Sequence, residues 1–361
     1  MIESILSKTN LPNLHPAMVH FPIVLLLVAL LIDMAALFFS SRDWLRKSAL
    51  MLTVLGTLTA FLTFWSGREA AETVSLTAAA EGVLTRHENS AEYTLWFFGV
   101  YTTIRLVLQA VSYKRWIHAV MIFLGLAGQY LLIQTADLGG TLVYKHAVAV
   151  KVPEAKLSAD RESPISKDEV APDPLIDGNH IQWDFGNGSE QNISEVFQVL
   201  SGSLDQVKIS SSSANGKTFL NFQKESKDTL ILVFQPILED TQIEAEVNLT
   251  EFQGTFALVH HASKDQFDYL AITGTKLIVL GRKKADADKT FAKKESAVPN
   301  DFISIKAVGA GTHFRGYIND AMVVHGHGEA ASKGQAGILL EGTGRFAMSR
   351  IEVTPISNEA H

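Results

Sequence analysis

The sequence predicts a multi-domain α + β chain, a four-helix transmembrane bundle followed by an all-β jelly-roll sandwich. Three observations predict it. Four apolar runs long enough to cross a hydrocarbon core lie before residue 140. The composition then turns to Pro, Asp, Glu, Lys and Ser between Lys151 and Gly178. Short alternating runs separated by turn residues fill the remainder. The expected organisation is a four-helix domain over 1–150, a linker over 151–178 and a β-sandwich over 179–361.

The runs are Pro16–Phe39, Ser48–Trp65, Tyr93–Val111 and Trp116–Thr135. The first has no basic segment before it and exceeds a signal-peptide core, so it reads as a retained helix. Orientation follows from the short turns. Arg42, Arg46 and Lys47 lie between the first two runs, and Lys114 and Arg115 between the last two, which assigns both turns to the cytoplasm. The acidic loop 67–90, both termini and the sandwich then lie outside. The expected location is the bacterial inner membrane, multi-pass, with the C-terminal domain in the periplasm. Trp44, Trp65, Trp96 and Trp116 fall near span ends, where an aromatic belt places them.

The chain is 361 residues long, 19% charged, and has no cysteine. That composition excludes disulfides, thiolate-held iron–sulfur clusters and covalently attached c-type haem. A net charge of −7 argues against a nucleic-acid-binding surface.

Polar residues inside the runs carry more information. Asp33 and Arg105 each lie about six residues from the cytoplasmic end of a span, so an intramembrane ion pair is the cheapest way to bury both. Such a pair fits helix packing as well as proton or quinone chemistry. Gly56, Gly99, Gly125 and Gly128 allow close helix approach. His15, His20, His87 and His146 all map to the outer face, with His118 alone at the other end. Pro22 has no N–H, so it frees the carbonyl of Met18 and loosens the helix beside His20.

Two histidines from different helices can hold a b-type haem without cysteine. The first expected pair is His20 with His87, and the second is His15 with His146. Arg68, Arg86 and Lys145 would meet the propionates. The same imidazoles, with Glu81 or Glu88, would equally suit copper, zinc or non-haem iron, and simple helix capping is the competing reading.

HPAMVHFP at the first helix, GREAAE after the second, His87 before the third and ADLGGTLVYKH after the fourth resemble the bacterial "predicted membrane protein" family that opens with HPxxVHFP. The resemblance covers about residues 10–150. Many members carry Gly where this chain has Ala147 and Ala149. The family has no assigned activity, but its members often occur beside cytochrome-type domains, which implies haem or electron transfer.

After Ile181 about a dozen strands are expected, with Asn319-Asp320 as a tight hairpin turn and the run GRKKADADKTFAKKE as a solvated loop. The order, and FRGYINDAMVVHGHG before GQAGILLEGTGRFAMSRIEV, resembles concanavalin A-like and laminin-G-like jelly rolls, some of which bind or cleave glycans. The paired-carboxylate motif of the related glucanases is missing, so glycoside hydrolysis is not expected. His260-His261 and His325-Gly-His327 are candidate metal or ligand residues. Alternation puts His325 and His327 on one strand face, and His260 and His261 on opposite faces.

The expected function is a membrane electron-transfer subunit with haem b, its sandwich docking a cytochrome partner or a larger complex. The alternative is a non-catalytic membrane anchor or assembly protein whose sandwich binds envelope glycan or protein.

Overall fold

A computed structural model describes residues 14–39, 42–74, 76–109, 114–150, 173–214, 216–274, 276–285 and 287–356. The chain forms two compact units: Met1–Val74 with Val83–Val150, and Ser75–Gly82 with Lys151–His361.

The first unit is helical. It contains α1 (His15–Met18), α2 (His20–Phe38), α3 (Asp43–Ala71), most of α4 (Ala78–Gln109), and α5 (Arg115–Tyr144). The runs 48–65 and 116–135 sit inside α3 and α5, the run 16–39 is divided between α1 and α2, and the described part of the run 93–111 lies in α4, which begins well before it. Among the described residues three helical stretches are apolar and long enough to cross a membrane: His15–Phe38, Asp43–Ala71 and Arg115–Tyr144. In α4 the apolar run is diluted by Thr94, Tyr101, Thr102 and Arg105, all buried in the unit's interior. The outward surface is apolar instead: Leu31, Leu58, Phe61, Val107, Phe123 and Ile133 are exposed, as are the four tryptophans of the unit. That inside-out distribution is what lipid, rather than water, selects.

Pro16 opens the first helical turn, and α1 passes into α2 through Val19. Thr63 of α3 donates to the Met18 carbonyl at 3.2 Å, so the acceptor freed by Pro22 is satisfied from the neighbouring helix. A Cβ on Gly56 or Gly128 would approach Leu26 or Phe97 within 2.7 and 2.6 Å. Gly99, by contrast, faces open space.

The second unit is an antiparallel β-sandwich. Of the stretch expected as linker, residues 151–172 lie outside the described residues, and β1 (Leu175–Asp177) already falls before Gly178. There follow β2 (His180–Asp184), α6 (Ser189–Val196), β3 (Phe197–Ser201), β4 (Val207–Ala214), β5 (Lys217–Lys224), β6 (Leu230–Phe234), β7 (Thr241–Asn248), β8 (Phe252–Ala262), β9 (Gln266–Thr273), β10 (Leu277–Lys284), β11 (Ala287–Glu295), β12 (Ile303–Ala310), β13 (His313–Ile318), β14 (Ala321–His327) and β15 (Gln335–Pro355). One sheet runs β11-β10-β9-β8-β15-β6-β3, and the other runs β14-β13-β12-β7-β15 and continues to β2 and to β5-β4. Both share β15, which crosses from one to the other near Gly342, whose φ is +129°. A Cβ there would lie 2.3 Å from the Gln253 carbonyl oxygen. The core between the sheets includes Trp183, Phe222, Phe234, Phe256, Phe314 and Phe346.

Three expectations are corrected here. The lysine-rich run expected as a loop contains β11, an exposed edge strand held by main-chain pairing to β10, with Lys side chains of the kind that protect an edge. A two-turn helix, α6, occurs where only strands were expected. The two closing strands are one continuous strand, β15, bent rather than broken. Asn319 and Asp320 both have positive φ, as a type I′ hairpin turn requires.

Candidate functional site

Four groups of polar side chains stand out, two in each unit. In the helical unit the first lies at the start of α1. His15 reaches α3, with Nδ1 3.1 Å from the Thr63 carbonyl oxygen and 3.3 Å from Ser66 Oγ. His87 of α4 donates from Nδ1 to the Thr135 carbonyl of α5 at 2.9 Å. The two rings meet edge to face with centroids 6.5 Å apart. Gly67 and Gly139 make room for them, since a Cβ at either would lie 2.9 Å from His15 or 3.2 Å from His87. An Nδ1–H given to a backbone carbonyl fixes the tautomer and orientation of an imidazole.

The structure therefore joins His15 with His87, rather than the expected pairs His20–His87 and His15–His146. Five residues of α-helix turn a side chain by about 140°, so His20 leaves the face that His15 occupies and is exposed. His146 follows the end of α5 and is half-buried, Arg68 is exposed, and Arg86 is half-buried beside His87.

The second group crosses the interior of the same unit. Asp33 of α2 accepts from both terminal nitrogens of Arg105 of α4, the NH2 bond being 2.9 Å long, and lies 3.2 Å from His118 Nε2 of α5. Arg105 also reaches Tyr101 Oη at 3.2 Å and Thr53 Oγ1 of α3 at 3.4 Å. Each of the four helices thus gives a partner to one buried network, which satisfies a guanidinium and a carboxylate away from water. A narrow cleft beside it is lined by Asp33, Arg46, Leu50, Arg105, Gln109 and His118. His118 and Tyr101 carried no signal in the sequence beyond helical spacing.

In the sandwich, His260 and His261 were expected on opposite faces, and the structure puts them together. Both oppose the single residue Ala336 where the pairing of β8 with β15 slips by one. His261 takes up the extra residue with φ +49°, which is the geometry of a β-bulge. The rings touch through Nδ1 atoms 2.8 Å apart, with centroids 4.8 Å apart. His261 lies 2.6 Å from the Glu239 carbonyl oxygen and 3.1 Å from Asp268, and Arg282 holds the Asp268 carboxylate in a two-point contact. Glu239 O only accepts, so His261 donates to it from Nε2, while its Nδ1 faces His260 Nδ1 and the Asp268 carboxylate. Burial, followed by the nearby His261 and Arg282, pushes the His260 pKa down to about 3. Burial raises Asp268, but the hydrogen bonds from His261 and Arg282 outweigh it and hold the carboxyl at about 2. Arg282 lies over the rings of Phe291 and Phe314. Arg282, seated on the Asp268 carboxylate, ties the group into one buried network.

The fourth group is the set His313, His325 and His327 on β13 and β14. On the same sheet face Arg315 pairs with Glu81 at 3.0 Å, and Tyr317 donates to Glu81 at 2.5 Å. Glu81 belongs to the Ser75–Gly82 segment of this unit, whose Leu76 carbonyl also accepts from Lys306 at 3.1 Å.

Residues 11–152 match the family described as "Predicted membrane protein (DUF2231)". No curated protein matches the chain. Among solved structures, the sandwich is similar to the carbohydrate binding module CBM66 from Bacillus subtilis, at 14% identity and TM-score 0.34, covering 43% of this chain and 94% of that one. It is also similar to a Bacillus licheniformis β-glucanase, at 9% identity and TM-score 0.37, covering 50% and 99%. A Bacillus subtilis protein of unknown function with a galectin-like fold aligns at 9% identity and TM-score 0.36, covering 45% and 90%.

Proposed function

We propose that this chain, whose residues 11–152 match a family of predicted membrane proteins, is a membrane-anchored binding protein of the bacterial envelope. The helical unit fixes it in the lipid, and the β-sandwich takes a ligand of the envelope, with glycan as the class to test first. The observation that supports this reading is the division of surfaces. The helical unit exposes large apolar side chains along its helices and buries Asp33 and Arg105 inside, whereas the sandwich encloses an apolar core of its own. The test is retention of the full chain, in lipid nanodiscs, on purified peptidoglycan sacculi and on immobilised glycans. Saturable retention above empty nanodiscs is expected. Equal retention of protein and empty nanodiscs on every glycan overturns the glycan assignment.

A second reading rests on His15 and His87. The two rings stand together from different helices, with centroids 6.5 Å apart. Both Nδ1 atoms face backbone carbonyls, and the two imidazoles would hold a b-type haem, which would supply one-electron transfer. An optical spectrum of protein expressed with haem supplied tests this. A b-type spectrum lost in His15→Ala and His87→Ala, and kept in His20→Ala, supports it. A featureless spectrum removes it.

A further inference from the structure

We propose that His313, His325 and His327 form a binding site for a transition-metal dication of the zinc class, on the sandwich face that carries β13 and β14. Their ligand nitrogens all lie within 4.8 Å of one another. The arrangement comes from backbone register. His313 pairs directly with His327 across the two strands, and His325 pairs with Arg315. Side chains two apart on a strand share a face, so all three imidazoles emerge on the same side. Ring centroids are 4.6 Å apart for His313–His327, 4.7 Å for His325–His327 and 5.7 Å for His313–His325.

The spacing suits a metal. Two nitrogens bound tetrahedrally to zinc at about 2.0–2.1 Å lie about 3.4 Å apart, and His313 Nδ1 and His325 Nε2 are 3.4 Å apart. Small side-chain rotations bring His327 to the same distance. Three neutral imidazoles with a fourth position left to water is a donor set that zinc, copper(II) and nickel(II) accept, whereas hard cations such as calcium require oxygen. Burial is graded from His313 in the interior through His325 to exposed His327, which gives the ion an entry path. Arg315, opposite His325 in the strand register, is already paired with Glu81, so its charge is compensated.

The platform is rigid. On the opposite face of the same strands Phe314 stacks on Phe291 with centroids 4.6 Å apart. A Cβ on Gly326, between the two β14 histidines, would lie 2.5 Å from Phe291 Cβ. Backbone movement at this point is therefore opposed from behind, and preorganised ligands bind metal more tightly.

The test is titration of the full chain in detergent, stripped of metal with chelator, with cobalt(II) and then zinc(II). One equivalent of cobalt(II) with visible d–d absorption, displaced stoichiometrically by zinc, is expected. His327→Ala, an exposed position, should weaken zinc on the order of 100-fold, and His313→Ala should do the same. His15→Ala and His87→Ala should leave this site intact, separating it from the helical histidines. Absence of saturable binding, or unchanged affinity in His327→Ala with the fold intact by circular dichroism, overturns the proposal.

Discussion

Mild acid should loosen the sandwich through His260 before its surface carboxylates titrate. His260 is fully enclosed, and its pKa falls from 6.5 to about 3 on folding. Between those values the unfolded chain binds one proton more than the folded chain, so stability rises with pH across the window and falls as pH is lowered. One pKa unit corresponds to about 1.4 kcal/mol, so lowering the pH from 8 to 5 removes about 2 kcal/mol through this residue alone. Asp268 contributes in the same sense but at lower pH. Its depressed carboxyl stabilises above about 3.8 and loses that contribution as pH falls through about 2, outside the window. Urea unfolding can follow Trp183, which is buried in the sandwich, in a variant with Trp44, Trp65, Trp96 and Trp116 changed to Phe. The unfolding free energy should fall by about 2 kcal/mol between pH 8 and 5, and His260→Gln should flatten that slope. A pH-independent free energy, or an unchanged slope in His260→Gln, would refute the reasoning.

Other substitutions probe the remaining networks. Asp33→Asn leaves the buried guanidinium of Arg105 without a counter-charge and should cost about 3–5 kcal/mol, seen as a lower melting midpoint in detergent; adding Arg105→Met should restore much of it. Thr63→Val removes the donor to Met18 O and should cost about 1–3 kcal/mol. Pro22→Ala restores the helical N–H at that acceptor, so in its background the Thr63→Val penalty should shrink. Gly309→Ala would set a Cβ 2.6 Å from both His260 and His261 rings and should destabilise the sandwich by about 1–3 kcal/mol in the same urea assay.

Where the sequence revealed the structure, one periodicity carried the signal. Long apolar runs locate the helices because the bilayer rewards length and apolarity together, and equal depth in facing spans brings Asp33 to Arg105. Pairing of specific histidines needed more. His15 and His20 look equivalent in HPAMVHFP, but helical phase separates them, and only the choice of facing helix brings His87 to His15. In the sandwich, bulges defeated simple counting. Two-residue alternation separates His260 from His261, and the bulge at His261 reunites them. From the Asn319-Asp320 turn, unbroken counting would place His313 opposite Gly326. The extra residue Val323 in β14 moves it opposite His327, so His313 joins the other two only because the register slips. Bulges leave little trace in composition, and the clusters they create were therefore not visible in advance.

The shared strand β15 has a consequence for biosynthesis. Its pairing partners, β2, β5, β6, β7 and β8, all precede it in the chain, and it supplies the hydrogen-bonding edge that each sheet needs to close. Neither sheet reaches its native pairing until the ribosome has passed residue 355. Completion of the sandwich then becomes a single late event, gated by its final strand.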